Sequence, residues 1–130
     1  MREITTHHVP GLNEVLRILV EDAPGAGNAC HMYRIEKIPG SDPADIFSTS
    51  DGLLAWFAFQ NGPLAEAGVN GISNESLLAI VRDRLEGFQS GAYACEANEQ
   101  ALLAVRVAMG SLAERTREQV ARQVEGTSQH

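Results

Sequence analysis

Residues 59–75 read FQNGPLAEAGVNGISNE. Glycine and asparagine accept positive φ and proline fixes φ, so this density marks a tight, specifically shaped connection. Two kinds of chain meet there. All five prolines (Pro10, Pro24, Pro39, Pro43, Pro63) precede Ser73, and none follows it. Proline removes a backbone donor and clashes with the preceding helical turn. The chain before the junction therefore reads as short strands and turns, and the chain after it as long helices. The expectation is an α+β fold. A small antiparallel β-sheet occupies 1–73 and an antiparallel two-helix hairpin occupies 74–130, together making one compact domain.

Upstream, residues 14–21 (EVLRILVE) and 29–38 (ACHMYRIEKI) are apolar-rich runs flanking PGAGN, which is turn chemistry. A β-hairpin is the economical reading. A short helix capped by Asn13 competes, because Leu12, Val15, Leu16 and Leu19 also fit a helical stripe. Pro24 and the short length favour the strand. After a polar loop at 40–52, residues 53–60 (LLAWFAFQ) read as a third strand with β-favouring Trp56, Phe57 and Phe59.

Downstream, Asn74 is placed to cap a helix with Glu75 in its first turn. Its inward stripe is Leu77, Leu78, Val81, Leu85 and Phe88, and Ser90 with Gly91 stops it near Gln89. A second helix starts near Glu96 and runs towards Val124, with a stripe of Leu102, Val105, Met109 and Leu112 continued by Thr116 and Val120. The short SGAYACE link makes the pair an antiparallel hairpin. The second helix is nearly twice as long as the first, so its end overhangs. Apolar Val120 and Val124 on that overhang call for another subunit, and the chain is expected to be oligomeric.

Composition bounds the function. The chain has 130 residues, 44% hydrophobic and 21% charged, the balance of one globular domain. It has no apolar window long enough to span a membrane and no signal-peptide segment near its start, so a soluble intracellular protein is expected. Its net charge is −7, from 17 acids and 10 bases, which opposes binding to DNA, RNA or an anionic membrane. The bases are nine Arg and only Lys37. Such a bias fits a GC-rich genome as well as a need for planar, forked phosphate donors. Cys30 and Cys95 form neither a disulfide framework nor a zinc motif and read as small buried hydrophobes.

No catalytic constellation emerges. Cys30 and His31, adjacent on a strand, would point to opposite faces, and His7 with His8 fails as a metal pair for the same reason. PGAGN lacks the helix and Lys of a phosphate loop. Neither a catalytic residue, a metal nor a cofactor is therefore called for. A binding site is easier to defend. Arg115, Arg117 and Arg122 lie within about two turns of the second helix, Arg115 and Arg122 sharing a face. Glu114, Glu118 and Glu125 among them fit an ordinary solvated face equally well. Phe88 closes the first helix, and Asn98 lies just beyond the link. An aromatic at a helix end is usually core, but beside an amide it can stack a flat base whose edge the amide reads. A guanidinium from a neighbouring chain would then meet phosphates. Without any family, these residues say only that a small anionic ligand fits a subunit boundary.

The run from Phe59 through FQNGPLAEAGVNGISNESLLAIVRDRLEGFQSGAYACEANEQALLAV, followed by LAERTREQVARQVEGT, resembles the phage Thoeris anti-defence sponge family. These proteins share a helical-hairpin domain with phage anti-CBASS sponges. PGAGNACHMYRI is similar to the strand-turn-strand part of the Thoeris-directed members. The resemblance covers roughly residues 12 to 128, and its most distinctive motifs are GVNGISNE, GFQSG and VEGT. It implies a protein that is not an enzyme. Such a protein binds cyclic nucleotide immune signals, notably glycocyclic ADP-ribose, without cleaving them, so that the effector is never activated. It further implies a dimer or hexamer acting in the cytoplasm of the infected bacterial host, with cyclic di- and trinucleotides as further ligands of some members. Carried over motif by motif, Phe88 and Asn98 correspond to pocket residues, and Arg115 and Arg117 to residues near phosphates. Asn70 and Asn74 fall in the matched turn and are implied to shape or line a site. Gln119 stands where members commonly carry a base, and AYACEAN lacks the expected proline. Two other classes compete: a phage structural or regulatory protein that uses the helices only to oligomerise, and a phosphodiesterase, which would need a metal or general base.

Overall fold

The computed structural model describes residues 1–38 and 52–128, with side chains up to Ala121. The polar loop read at 40–52 lies outside the described residues apart from Gly52, as do the side chains of Arg122, Val124 and Glu125. The class is α+β, as the sequence implied. The chain divides into two compact units, Met1–Ile72 and Ser73–His130.

The first unit is a four-stranded antiparallel sheet in the order β1 (Arg2–Ile4), β2 (Leu16–Val20), β3 (Met32–Lys37), β4 (Leu53–Ala58). The hairpin read around PGAGN is β2–β3, with Leu16 opposite Lys37 and Val20 opposite Tyr33. Its connection turns through Ala26–Asn28, where Gly27 and Asn28 hold positive φ. Asn13 caps no helix; its side chain accepts the Val9 N–H at 2.7 Å. Strand β4 is the third strand expected, and β1 was not foreseen.

Pleat alternation sets the two faces of this sheet. Ile18, Val20, Tyr33, Ile35 and Phe57 share one face through the strand register, and Val20 is fully buried. Tyr33 meets Phe59 edge-on at 5.4 Å between centroids. The other face carries Arg17, Arg34 and Glu36. Buried Glu36 accepts from Arg17 Nε at 2.8 Å and lies 3.4 Å from Arg34 Nε, while Arg34 Nη1 lies 3.9 Å from Glu21. A carboxylate this enclosed persists because two guanidiniums repay its desolvation.

Beyond β4 the 59–75 stretch is stapled by its own side chains. Gln60 donates to the carbonyls of Gly68 (2.7 Å) and Gly62 (3.2 Å), and its oxygen accepts the Asn70 N–H at 3.0 Å. A single turn, α1 (Leu64–Ala67), lies inside the loop and was also not foreseen. Ile72 then returns to pair with Phe59, exchanging backbone bonds with Ala58 and Gln60, each 2.8 Å. That return requires Gly71, because a Cβ there would lie 2.3 Å from the Phe59 carbonyl carbon.

The second unit is a hairpin of α2 (Asn74–Gln89) and α3 (Glu96–Ser128). The cap of α2 is Ser73, and Asn74 is the first helical residue. Ser73 Oγ accepts the Ser76 N–H (3.2 Å) and Ser76 Oγ accepts the Ser73 N–H (3.1 Å), a reciprocal box that displaces the expected Asn74 cap. On α3, Leu102 is buried and Val105, Met109 and Leu112 are half-buried, the stripe read from the sequence. On α2 the stripe is less complete: Leu77, Leu78 and Leu85 are half-buried, whereas Val81 and Phe88 are exposed. The 16 residues of α2 span about 24 Å and the 33 of α3 about 50 Å. Thr116 and Val120 are exposed on the longer helix.

Candidate functional site

The hairpin tip is built by side chains that tie the link 90–95 to both helices. Gln89 Oε1 accepts the Cys95 N–H at 3.0 Å, and Gln89 Nε2 donates to Glu99 at 3.1 Å. Cys95 is exposed rather than buried, correcting the reading of it as a small core residue. Its Sγ instead accepts the Asn98 N–H at 3.4 Å and so covers an open donor at the start of α3. Cys30 is buried as expected.

That arrangement presents the two candidate pocket residues from either side of one link. Phe88 ends α2 with 41% of its surface exposed, too much for a core aromatic in this unit. Asn98, half-buried in the first turn of α3, donates from its amide to the Tyr93 carbonyl at 3.4 Å. Its side-chain oxygen has no protein partner among the described residues and remains available as an acceptor. Tyr93 is 78% exposed on the same link.

The remaining candidates lie elsewhere. Arg115 is seventeen residues beyond Asn98 on one helix, about 25 Å along its axis. It borders an open groove of about 550 Å³ lined by α3 alone, through Val107, Gly110, Ser111, Glu114, Arg115 and Glu118. Arg117 is not on that groove; it donates to Glu114 at 3.3 Å as an exposed i,i+3 pair. Asn74 begins α2, about 21 Å from Phe88 along the helix. Asn70 belongs to the first unit and its side chain is committed, accepting from Asn61 N–H (2.8 Å) and donating to Asn61 carbonyl (2.7 Å). Phe88 and Asn98 flank one link, whereas Arg115 and Arg117 lie farther along α3 and Asn74 lies at the other end of α2.

Arg84 is a tip residue that the sequence reading missed. Its guanidinium carbon lies 5.6 Å from the centroid of the Phe88 ring, one helical turn on. Its neighbours Arg82 and Arg106 are both spent on Glu86, at 2.7 and 3.7 Å. The Arg82 hydrogen bond, with the charges of both arginines, holds the Glu86 carboxyl below its usual range. The i,i+4 spacing of Arg84 and Phe88 was visible in the sequence; which of three arginines Glu86 would take was not.

Among the described residues, no group of three or more His, Cys, Asp or Glu is placed to hold a metal. No described helix is long and apolar enough to cross a membrane. The hairpin end thus carries an exposed aromatic ring, a guanidinium near that ring and, beyond the link, a half-buried amide. No protein-family model matches the chain. Over 76 residues it is 43% identical to Thoeris anti-defense 1 of Bacillus phage SBSphiJ7, a match covering 58% of this chain. The chain spans about half of that relative's length, 54%. Over that stretch the chain is similar to a protein named for Thoeris anti-defence.

Proposed function

We propose that this chain binds cyclic nucleotide immune signals of the glycocyclic ADP-ribose type and holds them without cleavage, as a homo-oligomer in the host cytoplasm. The observation that supports the reading is the tip itself: a half-open aromatic ring, Phe88, just before the link, and just after it the Asn98 amide, whose oxygen makes no bond among the described residues. A flat base stacks on such a ring, and an exocyclic amine donates to such an oxygen. The relative's name supplies the anti-defence context.

Suppressing a signal needs tight binding, and nanomolar affinity requires about 12 kcal/mol. A small ligand reaches that by near-complete burial and several charge-assisted bonds. One chain offers neither, since Arg115 stands about 25 Å from Asn98. A second copy, bringing its Arg115 and Arg117 to the tip of the first, supplies both. Val107 (69% exposed) and Val120 (54%) on α3 are apolar surface for that association. The same surface favours a second reading, in which the helices serve oligomerisation alone.

Calorimetry with glycocyclic ADP-ribose, followed by denaturation and chromatography of the released ligand, separates these. Submicromolar binding with intact ligand recovered is the expected result, and Phe88→Ala abolishes the heat. Recovery of a cleaved product would make the chain an enzyme. No heat with this compound or with cyclic di- and trinucleotides, from a protein that light scattering finds oligomeric, would leave oligomerisation alone.

A further inference from the structure

We infer that Arg84 is a phosphate-contacting residue of the tip site, a role outside the set of residues that the sequence singled out. The assignment rests on the reading of Phe88 and Asn98 given above. Its first ground is how the arginines are spent. Arg17 and Arg34 are engaged by Glu36, Arg82 and Arg106 by Glu86, and Arg117 by Glu114. Arg84 has no carboxylate partner among the described residues, although Asp83 adjoins it and Glu86 lies two positions on. Arg2, whose guanidinium reaches Cys30 Sγ, and Arg115 share that state, and Arg84 is set apart from them by the aromatic ring it is held against.

Its second ground is where Arg84 is held. The guanidinium rests 5.6 Å from the Phe88 centroid, so the ring attracts the cation through its π-face. A guanidinium attracted by a ring keeps N–H donors that the ring does not occupy, and these remain open to an anion. Holding the group near the ring lowers the ordering cost that a free surface arginine meets on gripping phosphate. A nucleotide carries a flat base and, one sugar away, phosphates. One face of Phe88 takes the base and the guanidinium beside the ring takes the phosphate, so residues 84 and 88 read both ends of one ligand class: an adenine nucleotide with a diphosphate.

The test compares wild type with Arg84→Gln, Arg84→Lys and Phe88→Ala by calorimetry. The probes are glycocyclic ADP-ribose and adenosine, the second lacking phosphate. Both Arg84 and Phe88 are exposed, and unchanged thermal melts confirm that the variants fold. Arg84→Gln is expected to weaken the diphosphate probe by about tenfold or more, the loss of a charge-assisted pair. It should also flatten the salt dependence measured up to roughly 0.5 M and leave adenosine unchanged. Arg84→Lys should recover part of the loss. Wild-type binding with Arg84→Gln within about twofold of it overturns the assignment and leaves the site reading standing. Equal weakening of both probes by Arg84→Gln also overturns it, because the arginine would then only prop the ring. A wild type that binds neither probe overturns the site reading itself, and the role of Arg84 with it.

Discussion

The two units spend their polar groups differently. In Met1–Ile72 the charges and amides face one another: Glu36 lies between Arg17 and Arg34, Asn70 is tied to Asn61, and Gln60 bridges the loop to its own ends. In Ser73–His130 pairs such as Arg82–Glu86 and Gln89–Glu99 stand beside groups that are left over. Arg84 has a ring but no acid, Asn98 has an open oxygen, and Ile80 (58%), Leu103 (51%) and Val107 (69%) face outward. Groups satisfied internally hold a fold together and have little left for a ligand. Groups left unsatisfied cost stability where they are buried, as at His7 Nδ1, Glu21 Oε1 and His31 Nδ1 in the first unit, and await a partner where they are open, as on the helical unit.

The largest effect expected in the first unit comes from Gly71→Ala. With a Cβ at 2.3 Å from backbone, the chain must move, and the paired bonds of Ile72 go with it. Two backbone bonds and the strain put the cost at about 3 kcal/mol. Trp56, the chain's one tryptophan, sits in β4 and reports this unit by fluorescence. If Gly71→Ala leaves the Trp56 transition unmoved, the stapled loop is not what holds the sheet end.

Leu102→Ala is the matching strike on the second unit. Leu102 is 3% exposed, and truncating a buried leucine costs about 2–4 kcal/mol. Helicity at 222 nm should melt earlier while the Trp56 transition holds its midpoint. A common shift in both signals would mean that the two units unfold together, and the contrast between them would be one of chemistry only.

How much of this was legible depended on the length of each signal. Strands β2 and β3 were readable because two apolar runs flank turn residues, and β4 because Trp56, Phe57 and Phe59 cluster. Strand β1 has one apolar residue in three, and it forms only because β2 offers an edge to Ile4 and Arg2. The four-residue α1 has no room for a period. The cap slipped by one residue because the box at Ser73 is closed by Ser76 rather than by Glu or Gln. At the tip, sequence could nominate Phe88 and Asn98. It could not show that Phe88 leaves the apolar stripe for solvent, nor that Glu86 takes Arg82 and Arg106 and leaves Arg84, since both depend on how the helices pair.

The smallest effect is also the one that separates the units by pH. Asp22 accepts the N–H groups of His31 and Met32, each at 3.0 Å, and these bonds fasten the base of the β2–β3 hairpin. The Met32 N–H foremost, helped by the N–H and charge of His31, holds its carboxyl below the ordinary Asp value of 3.8, against an upward push from burial second only to the Met32 bond. A carboxyl depressed in the folded state stabilises it wherever both states are ionised, that is, above 3.8. The contribution is lost as pH falls below that value through the folded one, because a protonated carboxyl accepts these bonds less strongly. Urea melts followed by Trp56 should therefore weaken on acidification through this window, and Asp22→Asn should flatten that part of the pH dependence. The helical unit has its own depressed carboxyl in Glu86, tied to Arg82. Its acid loss should appear at 222 nm and persist in Asp22→Asn. If the substitution flattens both signals, the acid response belongs to the whole chain and not to the hairpin base.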